Sequence, residues 1–271
     1  MALDHHSTPP KYVAKKTDAN GYVSYDNVEN QTWATLFARQ MPIVQSAACK
    51  EYIAGVKLLD FTADKIPQLP DVNKKLLAAT GWQVAPVAAL ISFDRFFKLL
   101  SERKFPAATF IRIPEELDYL EEPDIFHELF GHCPMLTNQA CADFTAYVGK
   151  LGLNANPRVQ KLLARLYWFT IEFGLIQTEN EQLKIYGGGI LSSIGETHYS
   201  LNSPLPQRKP FDLMTALRTP YRIDIYQTVY FVINSFEQLY NLTKIDLIDA
   251  INQAIALGDF EPTYPPKNKE H

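Results

Sequence analysis

Residues 123–134 read PDIFHELFGHCP, and they place two of the chain's six histidines and a glutamate among Ile125, Phe126, Leu129 and Phe130. The spacing is HExxxH, with His127 and His132 five residues apart. On a regular α-helix, side chains four apart share a face, whereas side chains five apart diverge by about 140°. Either the two imidazoles are unrelated, or the backbone bends near Gly131 and brings both rings to one point. A third group has to decide.

That group is Glu172, within YWFTIEFGLI (167–176), where Tyr167 is the only other ionisable residue. An unpaired buried carboxylate costs several kcal/mol, so such a residue is paired, neutral or bound to a cation. Glu172 facing solvent, and two satisfied core histidines, are the plain alternatives. Taken together, two imidazoles and a carboxylate form the set that holds a divalent metal on one face and leaves its other positions open. Zinc accepts the same donors, and Cys133 and Cys141 lie near in sequence. A Cys₂His₂ site is disfavoured because His132 and Cys133 are adjacent. Spacing alone leaves iron and zinc open.

Composition frames the rest. At 271 residues, 46% hydrophobic and 21% charged, the chain can bury a sizeable core. A net charge of -4 without a basic block points away from nucleic acid or an anionic membrane as partner. Three cysteines form no disulfide framework, and no apolar run approaches a membrane span, so a cytoplasmic setting is expected. The pattern predicts a mainly α fold with a few short β-strands. Its expected parts are a partly ordered arm (1–28), one catalytic domain (29–262) and a tail (263–271). Helices are expected over 31–60, over PDVNKKLLAATG with Asp71 as N-cap and Gly81 as stop, from Ser92, and from Asn156-Pro157 through LYWFTIEFGLI. Two more are expected over PFDLMTALRT and KIDLIDAINQAIAL. AATFIRI (107–113) reads as a strand, and LKIYGGGILSS as a strand leading into a glycine loop.

EPDIFHELFGHCP, LYWFTIEFGLI and IYGGGILSSIGE together resemble the core motifs of the pterin-dependent aromatic amino acid hydroxylases, closest to their short bacterial branch acting on phenylalanine. PVAALISFDRFF is similar to that family's pterin loop, and FIRIPEELDYLEEPDIFHE to its substrate-side segment. The matches keep the family's order over most of residues 30–260. The resemblance implies Fe(2+) held by His127, His132 and Glu172, with Glu128 facing the pterin. It implies a tetrahydropterin (tetrahydrobiopterin or a relative) against Val87, Leu90, Ile91, Phe96, Ala164 and Tyr167, with Phe96 stacking on it and Glu128 and Tyr167 as catalytic side chains. It further implies that Arg112 grips the substrate carboxylate, as a planar bidentate donor can. Tyr119, Pro123, Trp168, Phe173, Gly189 and Ser192 would shape the amino acid pocket, and Asp124 is a candidate partner for the ligand histidines' free ring nitrogens.

By residue type alone, Trp168 and Phe173 read equally well as core, and Phe96 as the apolar side of a helix. Arg112 could as readily pair with Asp118 or Asp124, and Gly187 to Gly189 could be a flexible turn. Ser192 and His198 lack any nucleophile-elbow pattern. The implied reaction is hydroxylation of L-phenylalanine to L-tyrosine with O2. Ile223 stands where the family's tyrosine hydroxylases carry aspartate, with Asp224 next to it, and Leu120 stands where animal members have threonine. The resemblance also implies no regulatory domain, no tetramerisation helix, and a monomer or weak homodimer. The remaining alternatives are a tyrosine or tryptophan hydroxylase of the family, a zinc hydrolase with Glu128 as base, and a silent binder of aromatic ligands.

Overall fold

The computed structural model describes residues 12–88, 91–118 and 122–266. Its architecture is mainly helical, with six short strands among the described residues. Helix α1 (Asn27–Ala47) begins at an Asp26 and Glu29 capping box and ends at Ala48, so the expected run over 31–60 is two helices, the second being α2 (Lys50–Leu59). Helix α3 (Leu69–Thr80) starts earlier than expected. Gln68 is its N-cap and Pro70 occupies the first turn, which leaves Asp71 near the helix's positive end rather than capping it. Gly81 closes α3 at φ +76°, as the sequence implied.

Strand β1 (Gln83–Val87), α4 (Phe93–Ser101) and β2 (Lys104–Ala108) form one unit, with β1 and β2 parallel. Ser92 caps α4 through its hydroxyl, which accepts from the Arg95 N–H (3.3 Å). The strand expected over 107–113 therefore lies further back. From Thr109 to Ile113 the chain is extended but bonded elsewhere: the Thr109 carbonyl accepts from Tyr25 Oη (2.9 Å), and the Phe110 carbonyl from the Ile125 N–H (2.8 Å). Tyr12, at the start of the described arm, stacks on Phe110 at 4.5 Å.

The HExxxH segment is a π-helix, His127–His132, running directly into α5 (Cys133–Leu136). The bend expected at Gly131 is absent, and the whole turn is widened instead. Gly131 serves a different purpose. A Cβ there would lie 2.6 Å from the Gly188 carbonyl oxygen, so its hydrogen lets two backbones touch. Helix α6 (Gln139–Leu153) leads to α7 (Pro157–Tyr167), capped by Asn156 with Pro157 first, as expected. The long helix predicted through Ile176 then changes register. Residues Trp168–Glu172 form a second π-helix, closed by the Phe173 N–H on the Trp168 carbonyl (2.9 Å).

The second half of the chain wraps a small sheet. Strands β3 (Leu175–Gln177) and β4 (Leu183–Ile185) precede α8 (Gly188–Leu191) and α9 (Ile194–Asn202). The triple glycine thus opens a short helix rather than a loop. After β5 (Gln207–Pro210), α10 (Leu213–Arg218) and β6 (Val229–Ile233), the chain ends in α11 (Phe236–Asn241) and α12 (Leu247–Leu257). The sheet order is β4-β3-β6-β5, with β3 parallel to β6, so the strand leaving Glu172 and the strand leaving residues 219–228 lie side by side. No described helix is long and apolar enough to cross a membrane.

One contact sets the π-helix in place from behind. Helix α2 crosses α5 at Gly55, where a Cβ would stand 2.2 Å from the Pro134 carbonyl oxygen, and Tyr52 Oη donates to the Phe130 carbonyl (2.5 Å). Backbone cannot yield as a flexible side chain does, so Gly55→Ala is expected to destabilise the chain by about 1–3 kcal/mol in denaturant unfolding. A variant as stable as the parent would show that this crossing is slack.

Candidate metal centre and aromatic cleft

The widened turn brings His127 and His132 onto one side of the helix. Their Nε2 atoms are 3.1 Å apart, and Glu172 Oε2, arriving from the second π-helix, lies 3.2 Å from His132 Nε2 and 3.8 Å from His127 Nε2. Donors bound to one cation at right angles through bonds of about 2.1 Å sit about 3 Å from one another. The triangle matches one face of such an octahedron. Three acceptor atoms this close need a positive charge between them, a shared proton or a metal, and the donor set fits a divalent metal. Glu128 also brings a carboxylate within 4.8 Å of the histidine nitrogens, but Glu172 is the nearer acid.

The charges agree. Burial would raise Glu172, yet the two imidazoles, His132 foremost, hold its carboxyl down to about 2. Burial and then His132 push His127 down to about 3, which leaves it neutral and able to ligate. Burial opposes charge on His132, but Glu172 outweighs it and raises that imidazole. Glu128 is buried with no such partner, and its carboxyl rises to about 7. Burial also lifts the Tyr167 phenol well above its ordinary value, so it stays protonated, without a hydrogen-bond partner among the described residues.

The ring nitrogen facing away from the triangle on His127, Nδ1, bonds Ser192 Oγ at 2.9 Å. The expectation that Asp124 does this is corrected. Asp124 Oδ1 accepts the backbone N–H of His127 (3.0 Å), and both its oxygens are taken by Arg112, through Nε (2.8 Å), Nη2 (3.0 Å) and the backbone N–H (3.0 Å). The pair is buried. Burial would raise Asp124, but the guanidinium holds it below the ordinary carboxylate range. His132 Nδ1 is buried against Gly188, where a Cβ would meet it at 2.5 Å.

A cleft of about 600 Å³ opens beside His127. Arg112, Phe173, Gly189 and Ser192 line it, as does Ile223 with Asp224. Arg112 Nη1 makes no hydrogen bond among the described residues. Asp224 is held in a fork by the Arg222 guanidinium (2.9 and 2.7 Å), while the side chain of Ile223 is open. Trp168 lies behind the cleft wall, its ring 4.4 Å from Phe173 and 4.6 Å from Tyr221. Pro123 is half-buried and does not line the cleft, and Leu90, Tyr119 and Leu120 lie outside the described residues.

On the other side of Glu172, Phe96, Ala164, Tyr167 and Trp168 surround a pocket of about 20 Å³, room for little more than a water. Phe96 meets Tyr167 edge-on at 5.3 Å, and Val87 and Ile91 are buried nearby in sequence without lining it. A bicyclic ring enters this pocket only if these side chains move apart. Sequence reasoning missed Glu196 and Gln227, which both line the cleft. Glu196 sits three residues after the Ser193 cap of α9, a pattern that reads as an ordinary helix start, and Gln227 carries no local signal at all.

The family model of the biopterin-dependent aromatic amino acid hydroxylases matches residues 10–257. This chain belongs to that family. Its hydroxylase relatives include the phenylalanine-4-hydroxylase of Vibrio cholerae, 51% identical over 96% of this chain and 90% of that one. Among solved structures, the apo phenylalanine hydroxylase of Colwellia psychrerythraea superposes with a TM-score of 0.92 at 50% identity, covering 96% of this chain and all of that one. The Chromobacterium violaceum enzyme with bound Fe(III) superposes at 0.85 and 42% identity, over 93% and 94%.

Two outcomes follow from the hydroxylase geometry. Removing the Ser192 hydroxyl frees the His127 ring, so Ser192→Ala is expected to weaken Fe(2+) or Co(2+) binding about 10- to 100-fold, measured by metal titration of the apoprotein. Burial raises Glu196 to about 7 from 4.5. Between those values the folded chain keeps a proton that the unfolded chain has released, so stability falls as pH rises through that window. Glu196→Gln should lose about 2 kcal/mol less than the parent from pH 4.5 to 7 in chemical denaturation; parallel curves would contradict the assignment.

Proposed function

We infer that the chain is an iron- and tetrahydropterin-dependent monooxygenase that converts L-phenylalanine to L-tyrosine with O2, a phenylalanine 4-monooxygenase. The observation that carries the reading is the convergence of His127 Nε2, His132 Nε2 and Glu172 Oε2 within 3.8 Å at the wall of an aromatic cleft. His127, His132 and Glu172 would hold the iron by three positions, leaving the remainder for oxygen. Phe96, Ala164 and Tyr167, which line one pocket, would hold the pterin, and biopterin dependence is a property of the family. When bound, ferrous iron and reduced pterin supply the electrons that activate dioxygen toward an aromatic ring.

The side chains have distinct roles in this reading. Arg112 is aimed by Asp124, which occupies Nε and Nη2 and leaves Nη1 for the substrate carboxylate. Phe173, backed by Trp168, walls the ring and excludes water, while Gly189 leaves space beside Glu172 that a Cβ would narrow to 2.9 Å from its Oε2. Burial raises the Glu128 carboxyl to about 7, so it would hold a proton toward the pterin near neutrality. Tyr167 shapes the pocket with a phenol that does not ionise. Ile223 presents an apolar edge that suits an unsubstituted ring, since Asp224 is engaged by Arg222. Net charge and three free buried cysteines support a cytoplasmic setting without nucleic-acid or membrane partners.

The test is anaerobic loading with Fe(2+) followed by oxygen, phenylalanine and tetrahydropterin. Tyrosine is expected in proportion to pterin oxidised. Turnover with zinc and no pterin would install the hydrolase reading, and phenylalanine binding without oxygen uptake the silent binder. Ile223→Asp should lower kcat/KM for phenylalanine about tenfold relative to tyrosine.

A further inference from the structure

The cleft wall that carries Ile223 is a segment, residues 219–228, with no regular structure of its own between α10 and β6. Ten irregular residues beside a cleft need outside support to keep one position. The support comes from two sides. From the inside, Gln227 uses every polar atom of its side chain. Its Nε2 donates to the carbonyls of Arg222 (2.8 Å) and Ile225 (3.2 Å), its Oε1 accepts the Trp168 indole N–H (2.9 Å), and its backbone N–H donates to Glu196 Oε1 (3.2 Å). Glu196 is itself fixed by the Tyr230 hydroxyl. The loop is thereby tied to Trp168, the residue whose ring backs Phe173.

From the outside, the chain after α12 returns across the same segment. The Phe260 N–H donates to the Arg218 carbonyl (2.8 Å), Tyr264 Oη to the Tyr221 carbonyl (3.3 Å) and Arg222 Nη1 to the Pro265 carbonyl (3.0 Å), while the hydroxyls of Thr228 and Thr263 meet at 2.5 Å. Bonds before and after residues 223–226, of which Ile223, Asp224 and Tyr226 are exposed, hold the stretch like a strap.

We propose that these two clamps, Gln227 within and Thr263–Pro265 without, set the height of the loop over the cleft and so the discrimination among aromatic amino acids by ring size. The proposal deepens the hydroxylase reading and rests on it. Gln227, Thr263 and Tyr264 act as positioning residues, because selectivity passes through Ile223 and its neighbours. A displacement of about 1 Å at a reacting geometry costs up to about a hundredfold in rate, so a loosened loop is felt in turnover and most of all in selectivity.

The experiment uses the full chain loaded with Fe(2+), carrying Gln227→Met or the pair Thr263→Ala and Tyr264→Ala. kcat and KM are measured for phenylalanine and for tryptophan, together with iron affinity and the melting transition. In each variant the ratio of kcat/KM for phenylalanine over tryptophan is expected to fall about fivefold or more, with iron affinity within about twofold of the parent. In an Ile223→Ala background, Gln227→Met should change the ratio by less than about twofold, because the side chain through which it acts is gone. An unchanged ratio in folded variants, or effects of 223 and 227 that simply multiply, overturns the clamps. If Gln227→Met does not fold, the tail variant decides alone. A parent chain that makes no tyrosine would sink the function reading instead, which separates the two failures.

Discussion

The site depends on one departure from regular helix geometry. Two imidazoles five residues apart meet because the turn between them is widened to a π-helix, and a second π-helix delivers Glu172 to the same point. Each widening sacrifices regular i to i−4 bonding locally, and the surroundings compensate. Tyr52 takes the Phe130 carbonyl, and the Phe173 N–H reaches back five residues to Trp168. Close packing of Gly131 on Gly188 then locks the first wide turn against α8. A regular helix over 127–132 would scatter the donors however well the rest of the chain folded.

Electrostatics follow from that crowding rather than preceding it. A carboxylate far below its ordinary range beside one neutral and one charge-favouring imidazole is what three ligands look like when a proton stands in for a metal. Glu128, one residue from a ligand but outside the triangle, lacks a compensating charge and moves the other way. Two nearby buried carboxyl groups are thus shifted in opposite directions by position alone.

What could be read from the sequence was what local chemistry decides. The helix starts near Ser92 and at Asn156 and the stop at Gly81 involve neighbours in the chain, and the structure has them. The isolated Glu172 stood out because an apolar run has no other use for a carboxylate. The π-helices were not legible, since a wide turn leaves no period of its own in a sequence only five or six residues long, and the bend assigned to Gly131 was the nearest local guess. Asp124 was connected to the right neighbourhood but to the wrong atoms: a buried carboxylate bonds the strongest donor within reach, here Arg112, and leaves the His127 ring to Ser192. Gln227 and the strap beyond α12 were hidden for another reason. Their partners are tens of residues away, and nothing in an ordinary glutamine or threonine announces a remote carbonyl.

Asp124 has a consequence of its own. With one oxygen pair it orients the Arg112 guanidinium at the cleft, and with the same atoms it receives the main-chain N–H of His127. In the proposed hydroxylase reading, recognition of the amino acid's carboxylate and placement of the iron would therefore be joined at a single buried side chain. Evolution toward a different side-chain preference has little freedom on that face of the cavity. It would work instead from the loop that carries Ile223 on the same cleft, leaving the bonds of Asp124 in place.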